Sequence, residues 1–399
     1  MGRIGSDLCL TGTGLACQPQ VNPTAITDGA IWHAKAVNSA MNFLIASSGF
    51  REGANYYENV LAVWLVGQGH QVSVVRGASP EWPGLEAGEA RPLGYTVYSI
   101  QRHWRIKDTY ITATNFAKLL DATRPEVAFL TAPGSGMPYF LMKRLPPACK
   151  VVAMMPDFDA NATPTRPWVK WLLKDRWYAN IFARANVITA SSPDGKGLVR
   201  RIANGRYMDK YWFGGLVYDP LDFYPGPTLP PCPIRFSTIT RVVPSKPFER
   251  WLPPVFEFLE KHPDAHYTLA GFDGGAYSQK IRSLVNNSKV ARQIECRDAV
   301  SAVGMREIFQ ASHFALWFTA AISVQQSMGC GLPVLLPNQS SLSHLVEVGR
   351  NGLIWRELGE LAFLLDRMTK INWDSSEVLR LNRRSCADVV FPELLAQIC

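Results

Sequence analysis

The sequence predicts an α/β protein made of two halves, each a doubly wound parallel β-sheet covered by helices. Short apolar runs alternate with helix-like stretches from Met41 onward, which is typical of strands buried on both faces. A stretch rich in proline and glycine at 214–233 interrupts this alternation and cannot continue a helix or a central strand. With 399 residues, the chain is also long enough for two cores. Such halves place a ligand cleft at the carboxyl ends of their strands.

Composition narrows the class of protein. The hydrophobic fraction of 47% and charged fraction of 19% are those of a globular protein rather than a disordered one. We find no secretory signal in the first forty residues and no apolar run long enough to span a bilayer. The eight scattered cysteines therefore predict reduced thiols and a cytoplasmic location, with peripheral contact at the inner membrane face as an extension of it. The net charge of +8 favours anionic partners or simply serves solubility.

The order of apolar runs predicts four segments. Residues 1–40 lack periodicity and are expected to be a poorly ordered leader, with Met41 as the start of the fold or of the native protein. Residues 41–215 form the first domain and 216–375 the second. Residues 376–399 have leucine and valine spacing suited to a helix that packs back on the first domain. The predicted strands are 42–46, 72–75, 127–130, 151–154, 187–190, 234–239, 267–270, 293–296, 314–318, 334–336 and 352–354.

Two loops of the first half are candidates for chemistry. Gly53 follows the first strand and opens the first helix, where backbone amides bind anions and a glycine permits close approach, unless the loop is a plain turn. Asp157 and Asp159 follow another strand end and would face the cleft. Either aspartate could act on the acceptor side of the site. Alternatively, these aspartates cap a helix or face the solvent.

The strongest candidate lies in the second half. Arg241 and Lys246 stand five residues apart, just after a strand and before a helix that begins at Phe248. A guanidinium that chelates two oxygens and a mobile ammonium suit a diphosphate. Further along, Gln325 and Gln326 lie in a short helix, where an amide can hydrogen-bond a ribose or sugar hydroxyl.

The order of these features resembles the retaining GT-B glycosyltransferases of family 4, the group 1 glycosyl transferases. The likeness extends over nearly all of the chain from Met41 onward. The segments that carry it are 52–54 with 67–72, 185–192, 215–223, Arg241 with Lys246, Ala270-Gly271, 327–334 and 349–353.

This resemblance implies a GT-B fold and specific roles. Arg241 and Lys246 match the pair that grips the donor diphosphate, and Gly271 matches the glycine turn that completes the donor site. It also implies transfer with retention, a nucleoside-diphosphate sugar as donor, a carbohydrate or lipid-linked acceptor, and neither a metal nor a bound cofactor. Two acidic positions of the family differ here: one falls on Gln326, and the loop 319–322 holds no acid.

Several alternatives stay open. The missing acids allow a non-catalytic GT-B protein that binds a sugar nucleotide, while a GT-B epimerase lacks the nearby paired carboxylates that it would need. Residues 166–178 interleave basic residues with tryptophans, which suits an anionic membrane surface or an ordinary amphipathic helix. The same interleaving suits single-stranded nucleic acid, but no nucleic-acid module accompanies it, so we predict no such partner.

Overall fold

Parallel strand pairing builds both halves of the molecule. A computed structural model describes residues 40–50, 56–77, 89–90, 93–100, 104–106, 109–111, 116–132, 136–155 and 168–398. These residues all belong to one compact unit, Ser39–Cys399. The predicted leader therefore lies outside the described residues, apart from Ala40.

The first sheet has the order β3-β4-β2-β1-β7-β8-β9 within the described residues. Its strands pair in parallel except for β3, which runs antiparallel to β4, and β5 with β6 forms a separate hairpin. The strands of this half are β1 Asn42–Ser47, β2 Gln71–Gly77, β3 Glu89–Ala90, β4 Thr96–Ile100, β5 Trp104–Ile106, β6 Thr109–Ile111, β7 Val127–Thr131, β8 Lys150–Met155 and β9 Val187–Ala190.

Helices cover both faces of this sheet. They are α1 Tyr57–Gly67, α2 Ala117–Thr123, α3 Met137–Met142, α4 Trp168–Arg184 and α5 Gly195–Arg201. Because successive side chains of a strand point to opposite faces, β1 contributes to two cores. Phe43 and Ile45 belong to one apolar cluster, whereas Leu44 and Ala46 belong to another. A strand buried on both faces needs apolar residues at successive positions, which is why a continuous apolar run predicted it.

The second sheet is parallel throughout, in the order β12-β11-β10-β13-β14-β15. Its strands are β10 Arg235–Ile239, β11 His266–Phe272, β12 Ile294–Asp298, β13 Phe314–Leu316, β14 Val334–Pro337 and β15 Gly352–Trp355. The helices that follow are α6 Phe248–Lys261, α7 Ala276–Asn286, α8 Ala302–Gln310, α9 Ser323–Gly329, α10 Ser340–Ser343, α11 Leu361–Lys370, α12 Ser375–Asn382 and α13 Ala387–Ala396.

The end of the chain lies against the first sheet. Phe391 of α13 contacts Tyr57 of α1 edge-on at 5.4 Å between ring centroids, and Trp64 Nε1 donates to Asp388 Oδ1 at 3.0 Å. The expectation of one helix over 376–399 is corrected, because α12 and α13 are separate. Between them Cys386 is extended and forms a bridge with Tyr218, which lies in the stretch 214–233 that joins the two halves.

All eleven predicted strands overlap strands of the structure, and 187–190 coincides with β9. β4 was not predicted. It lies second from the edge of the first sheet, paired to β2, and only two of its five residues are apolar side chains of the core.

Candidate functional site

The loop that carries Arg241 and Lys246 begins where β10 ends, as predicted. β10 lies in the interior of the second sheet, paired to β11 and β13. The loop leads into α6, whose first residue is Phe248. Its position places both cations at the carboxyl edge of the sheet, where doubly wound folds bind ligands.

Gly271 lets the end of β11 hold this loop. Thr240 N donates to Ala270 O at 3.0 Å, and Val242 N donates to Gly271 O at 2.9 Å. The φ of Gly271 is +117°, and a Cβ there would lie 2.1 Å from Thr240 O. No other residue fits both requirements. The predicted donor-site glycine therefore acts on the backbone that presents Arg241.

The positive charges of Arg241 and Lys246 are close enough to affect each other. Lys246 Nζ donates to Thr240 Oγ1, and Arg241 is exposed. Burial and the neighbouring Arg241 charge lower the pKa of Lys246 to about 8. In the part of the chain that the structure describes, neither cation forms an ion pair. The loop thus presents positive charge that a bound anion would neutralise.

Glu249, at the start of α6, is the acid nearest in sequence to Lys246, and other groups hold it. Its carboxylate accepts from the hydroxyl of Tyr277 and lies 3.3 Å from Lys280 Nζ. Tyr277 Oη also lies 2.8 Å from Lys246 O and accepts from Phe248 N at 2.9 Å. Tyr277 therefore fixes the end of the loop and keeps this carboxylate engaged away from Lys246.

The start of α9 is tied to the end of β10. Ser323 Oγ donates to Ile239 O at 2.7 Å and accepts from Trp317 Nε1 at 3.1 Å. This places α9 beside the strand end that precedes Arg241. The sequence did not single out Ser323, because a serine at a helix start is ordinary.

The two glutamines of α9 are more enclosed than a ligand contact requires. Gln326 is 0% exposed and Gln325 2% exposed. Gln325 lines a cavity with Trp212 and Phe213, which come just before the stretch 214–233, and not the surface around Arg241. Their roles as donor ligands stay predictions, and a contact from Gln326 would require the packing around α9 to open.

Part of the chain is similar in sequence to a known protein family. The family model described as "Glycosyl transferase 4-like domain" matches residues 52–207. Solved structures of glycosyltransferases superpose on nearly the whole chain, which includes both sheets. The chain has the GT-B fold. No curated protein matches its sequence.

The structural matches are distant in sequence. Sucrose-phosphate synthase from Thermosynechococcus elongatus has 13% identity and a TM-score of 0.66, covering 89% of this chain and 97% of that one. A glycosyltransferase from Rickettsia africae has 11% identity and a TM-score of 0.64, covering 90% and 97%. HepE from Anabaena, in complex with UDP, has 14% identity and a TM-score of 0.65, covering 90% and 99%. The chain therefore resembles group 1 glycosyltransferases of the GT-B type.

Among the described residues, several hydroxyl side chains lie at the carboxyl edge of the first sheet, together with the buried cation Arg76, whose Nε donates to Ser99 Oγ at 3.0 Å. Buried serines and threonines stand at or after the strand ends: Ser47, Ser99, Thr131, Ser191 and Ser192. One acid joins them, because Glu58 Oε1 of α1 accepts from Ser47 Oγ at 2.9 Å. Burial raises the pKa of Glu58 above its ordinary value. Sequence reasoning missed Glu58, since an acid in the first turn of a helix is usually a dipole partner.

Two other predicted residues, Gly53 and Asp157, lie outside the described residues, as does Asp159. The segment 166–178 is helical from Trp168, but the side chains up to 174 are also outside the description, so its membrane contact stays a prediction.

The described residues offer neither a cluster of metal-binding side chains nor a membrane-spanning helix. No group of three or more His, Cys, Asp or Glu there could hold a metal ion. Of the described helices, none combines the length and apolarity that crossing a bilayer requires.

Proposed function

We propose that this chain transfers a sugar from a nucleoside-diphosphate sugar to an acceptor hydroxyl. The observation that carries the proposal is the pair Arg241 and Lys246 at the carboxyl edge of a GT-B sheet, two mutually repelling cations to which the described residues supply no acid partner. Anabaena HepE, which shares the fold, is known in complex with UDP and with UDP-glucose. This favours a UDP sugar as the donor.

In this proposal the second domain, 216–375, holds the donor and the first domain, 41–215, the acceptor. Arg241 chelates two diphosphate oxygens and Lys246 neutralises the charge that grows as the bond from the anomeric carbon to the diphosphate breaks. Gly271 keeps the loop that carries them in place. Gln325 and Gln326 stay assigned to the ribose or sugar hydroxyls, with the opening of α9 that this requires.

The acceptor oxygen then bonds to the anomeric carbon, and its proton leaves with the departing phosphate oxygen. Retention follows from the family resemblance. Two side-chain cations can supply the positive charge that a bound metal would otherwise provide, so the transfer is proposed to be metal-independent. Gly53 and Asp157 are assigned to the cleft from the first domain, Gly53 with backbone amides and Asp157 towards the acceptor.

A second function is favoured by one observation. Where the family carries an acid, Gln326 is present and fully buried, and 319–322 holds no acid. A chain that binds a sugar nucleotide without transferring the sugar would tolerate both changes, because binding needs only the two cations.

Two measurements in sequence test the proposal and separate the two functions. Thermal unfolding with UDP, GDP and ADP should show stabilisation by at least one, since a ligand at 100 times its Kd adds about 2.7 kcal/mol. No shift with any nucleotide would contradict both functions.

Release of the nucleoside diphosphate from its sugar, with candidate acceptors and lipid extracts present, then distinguishes them. Release that depends on the acceptor supports transfer. Binding without release with any donor would leave the non-catalytic function.

A further inference from the structure

The second sheet carries an open groove at the edge opposite to the loop that carries Arg241. The groove has a volume of about 660 Å³. It is lined by the first residues of β10 and β11, by β12 with the turn before it, and by the end of α8. Arg241 and Lys246 lie at the other end of these strands, and neither lines the groove. We call it the amino-edge groove.

The groove is open because α8 covers only part of one sheet face. Parallel sheets usually carry helices over both faces, and Ile308 of α8 packs with Ile239 and Ala270 in one apolar cluster. Beside this covered part, Thr268 on β11 is half-buried and its register neighbour Glu295 on β12 is exposed. β12 is the outermost strand on this side of the described sheet. The polar side chains of this face are therefore accessible to a ligand.

Positive charge exceeds negative charge in the amino-edge groove. Arg235 and Arg292 line it, and neither forms an ion pair in the part of the chain that the structure describes. The third arginine, Arg297, is paired with Glu295 at 2.7 Å. Glu307 on α8 is the other acid of the lining, so one positive charge stays uncompensated. An excess of positive charge in a concave site attracts anions.

Hydrogen-bonding groups lie beside the arginines. His266 is exposed and is the register neighbour of Arg235. The hydroxyl of Thr268 forms no hydrogen bond with another described residue. The turn before β12 is held in place, because Gln293 Nε2 donates to three backbone carbonyls at 3.1, 2.8 and 3.0 Å. The groove therefore offers polar groups on a wall that is already positioned.

These features define the chemistry of an occupant. The volume falls within the roughly 300–1,000 Å³ of pockets for small molecules. Guanidinium groups bind phosphate oxygens through paired hydrogen bonds, and a phosphate monoester carries about −1.5 to −2 charges at pH 7. The groove therefore suits a small molecule with a phosphate group better than a neutral one.

The rest of the lining favours a sugar over a nucleoside as the other part of this molecule. Among the described lining residues, Tyr267 is the only Phe, Tyr or Trp, and its ring is buried in the apolar cluster on the opposite face. A nucleobase would find no such ring to stack on. The hydroxyl of Thr268 and the carboxylate of Glu307 can instead form hydrogen bonds with sugar hydroxyls.

We propose that the amino-edge groove binds a phosphate monoester of a sugar, whose phosphate is held by Arg235 and Arg292 and whose hydroxyls contact Thr268. The site is separate from the loop with Arg241 and Lys246, so both can be occupied at the same time. The proposal does not depend on transferase activity.

Calorimetric titration of glucose 6-phosphate, glucose 1-phosphate and mannose 6-phosphate into the full chain tests this proposal. At least one should bind saturably, inorganic phosphate should bind more weakly, and glucose should not bind. Arg235→Gln and Arg292→Gln should each raise the Kd at least about tenfold, because each removes a charged contact to the phosphate. Arg292 is exposed, so its variant should fold as the wild type does even if Arg235→Gln does not.

Three further variants serve as controls. Glu307→Gln removes a negative charge of the lining and should tighten binding. Arg367→Gln, at an exposed arginine of α11 outside the groove, should leave the Kd unchanged, and Arg241→Ala should do so too. Unchanged affinity in Arg292→Gln, lost affinity in Arg241→Ala, or no saturable binding of any sugar phosphate would overturn the proposal. Inorganic phosphate that binds as tightly as the sugar phosphates would overturn the assignment of the sugar.

Discussion

The carboxyl edges of the two sheets present different polar groups. Among the described residues, the first carries buried hydroxyls, the half-buried acid Glu58 and the buried cation Arg76, which donates to Ser99 Oγ. The second carries the cations Arg241 and Lys246, for which the described residues supply no ion pair. Hydroxyls can donate to and accept from a neutral, hydroxyl-bearing molecule, while the cations suit a phosphate. The proposed function uses this difference by placing the donor diphosphate at the second sheet.

The difference between the two edges depends on how the loop with Arg241 and Lys246 is held in place. A substitution at Gly271, which holds this loop, should therefore have the largest effect on stability. Gly271→Ala should destabilise the protein by about 3 kcal/mol, because the new Cβ meets Thr240 O at 2.1 Å in a left-handed backbone conformation. Chemical denaturation measures it.

Gly274→Ala is the matched control on the same turn. Its φ is also positive, +75°, but no atom lies within 4 Å of the added Cβ, so the cost should be about 1 kcal/mol. Equal costs for the two variants would show that the contact with Thr240 does not position the loop.

The protonation of Lys246 should make UDP affinity depend on pH, which tests the role of the second edge. Its pKa is lowered to about 8 in the free protein, and a bound diphosphate should raise it. Above about pH 8 binding must take up a proton, so UDP affinity should fall by up to tenfold per pH unit. Calorimetry in buffers of different ionisation enthalpy measures the uptake.

Lys246→Met is the control for this titration and should remove the proton uptake. The same shift has a consequence for the free protein. Since the folded state binds fewer protons than the unfolded chain between about pH 8 and 10.5, the free energy of unfolding should rise with pH there. A wild-type affinity that is flat from pH 7 to 9 would contradict the diphosphate role of Lys246.

Glu58, the acid at the edge of the first sheet, should have the smallest effect, which is on the pH dependence of stability. The pKa of Glu58 is raised by burial, so the folded state holds its proton to higher pH than the unfolded chain does. The free energy of unfolding should therefore fall as pH rises from the ordinary value of 4.5 through the folded value.

Glu58→Gln should flatten that decline in denaturation series at several pH values, and it should leave UDP affinity unchanged. A loss of UDP affinity in this variant would break the division between the two edges, because the donor would then contact both.

The sequence predicted what depends on local pattern. Continuous apolar runs such as Val187–Ala190 identified buried strands, and the position of Arg241 after a strand placed it at a sheet edge. β4 was missed because a strand near a sheet edge needs fewer core side chains than a central one.

What the sequence could not give depends on distant contacts. The need for glycine at Gly271 comes from Thr240, which lies on another strand end. The break between α12 and α13 comes from the pairing of Cys386 with Tyr218. The enclosure of Gln325, which is 2% exposed, follows from how α9 packs and not from its helical spacing.

Calorimetric titration of UDP into Arg241→Ala tests the central claim most directly, with Arg250→Ala as the control. Arg250 is an exposed cation on α6, only nine positions away in the sequence. Loss of the guanidinium at Arg241 should cost about 2 kcal/mol, roughly thirtyfold in Kd, while Arg250→Ala should bind as the wild type does. Equal UDP affinity in Arg241→Ala and wild type would contradict the assignment of the diphosphate to this edge of the second sheet.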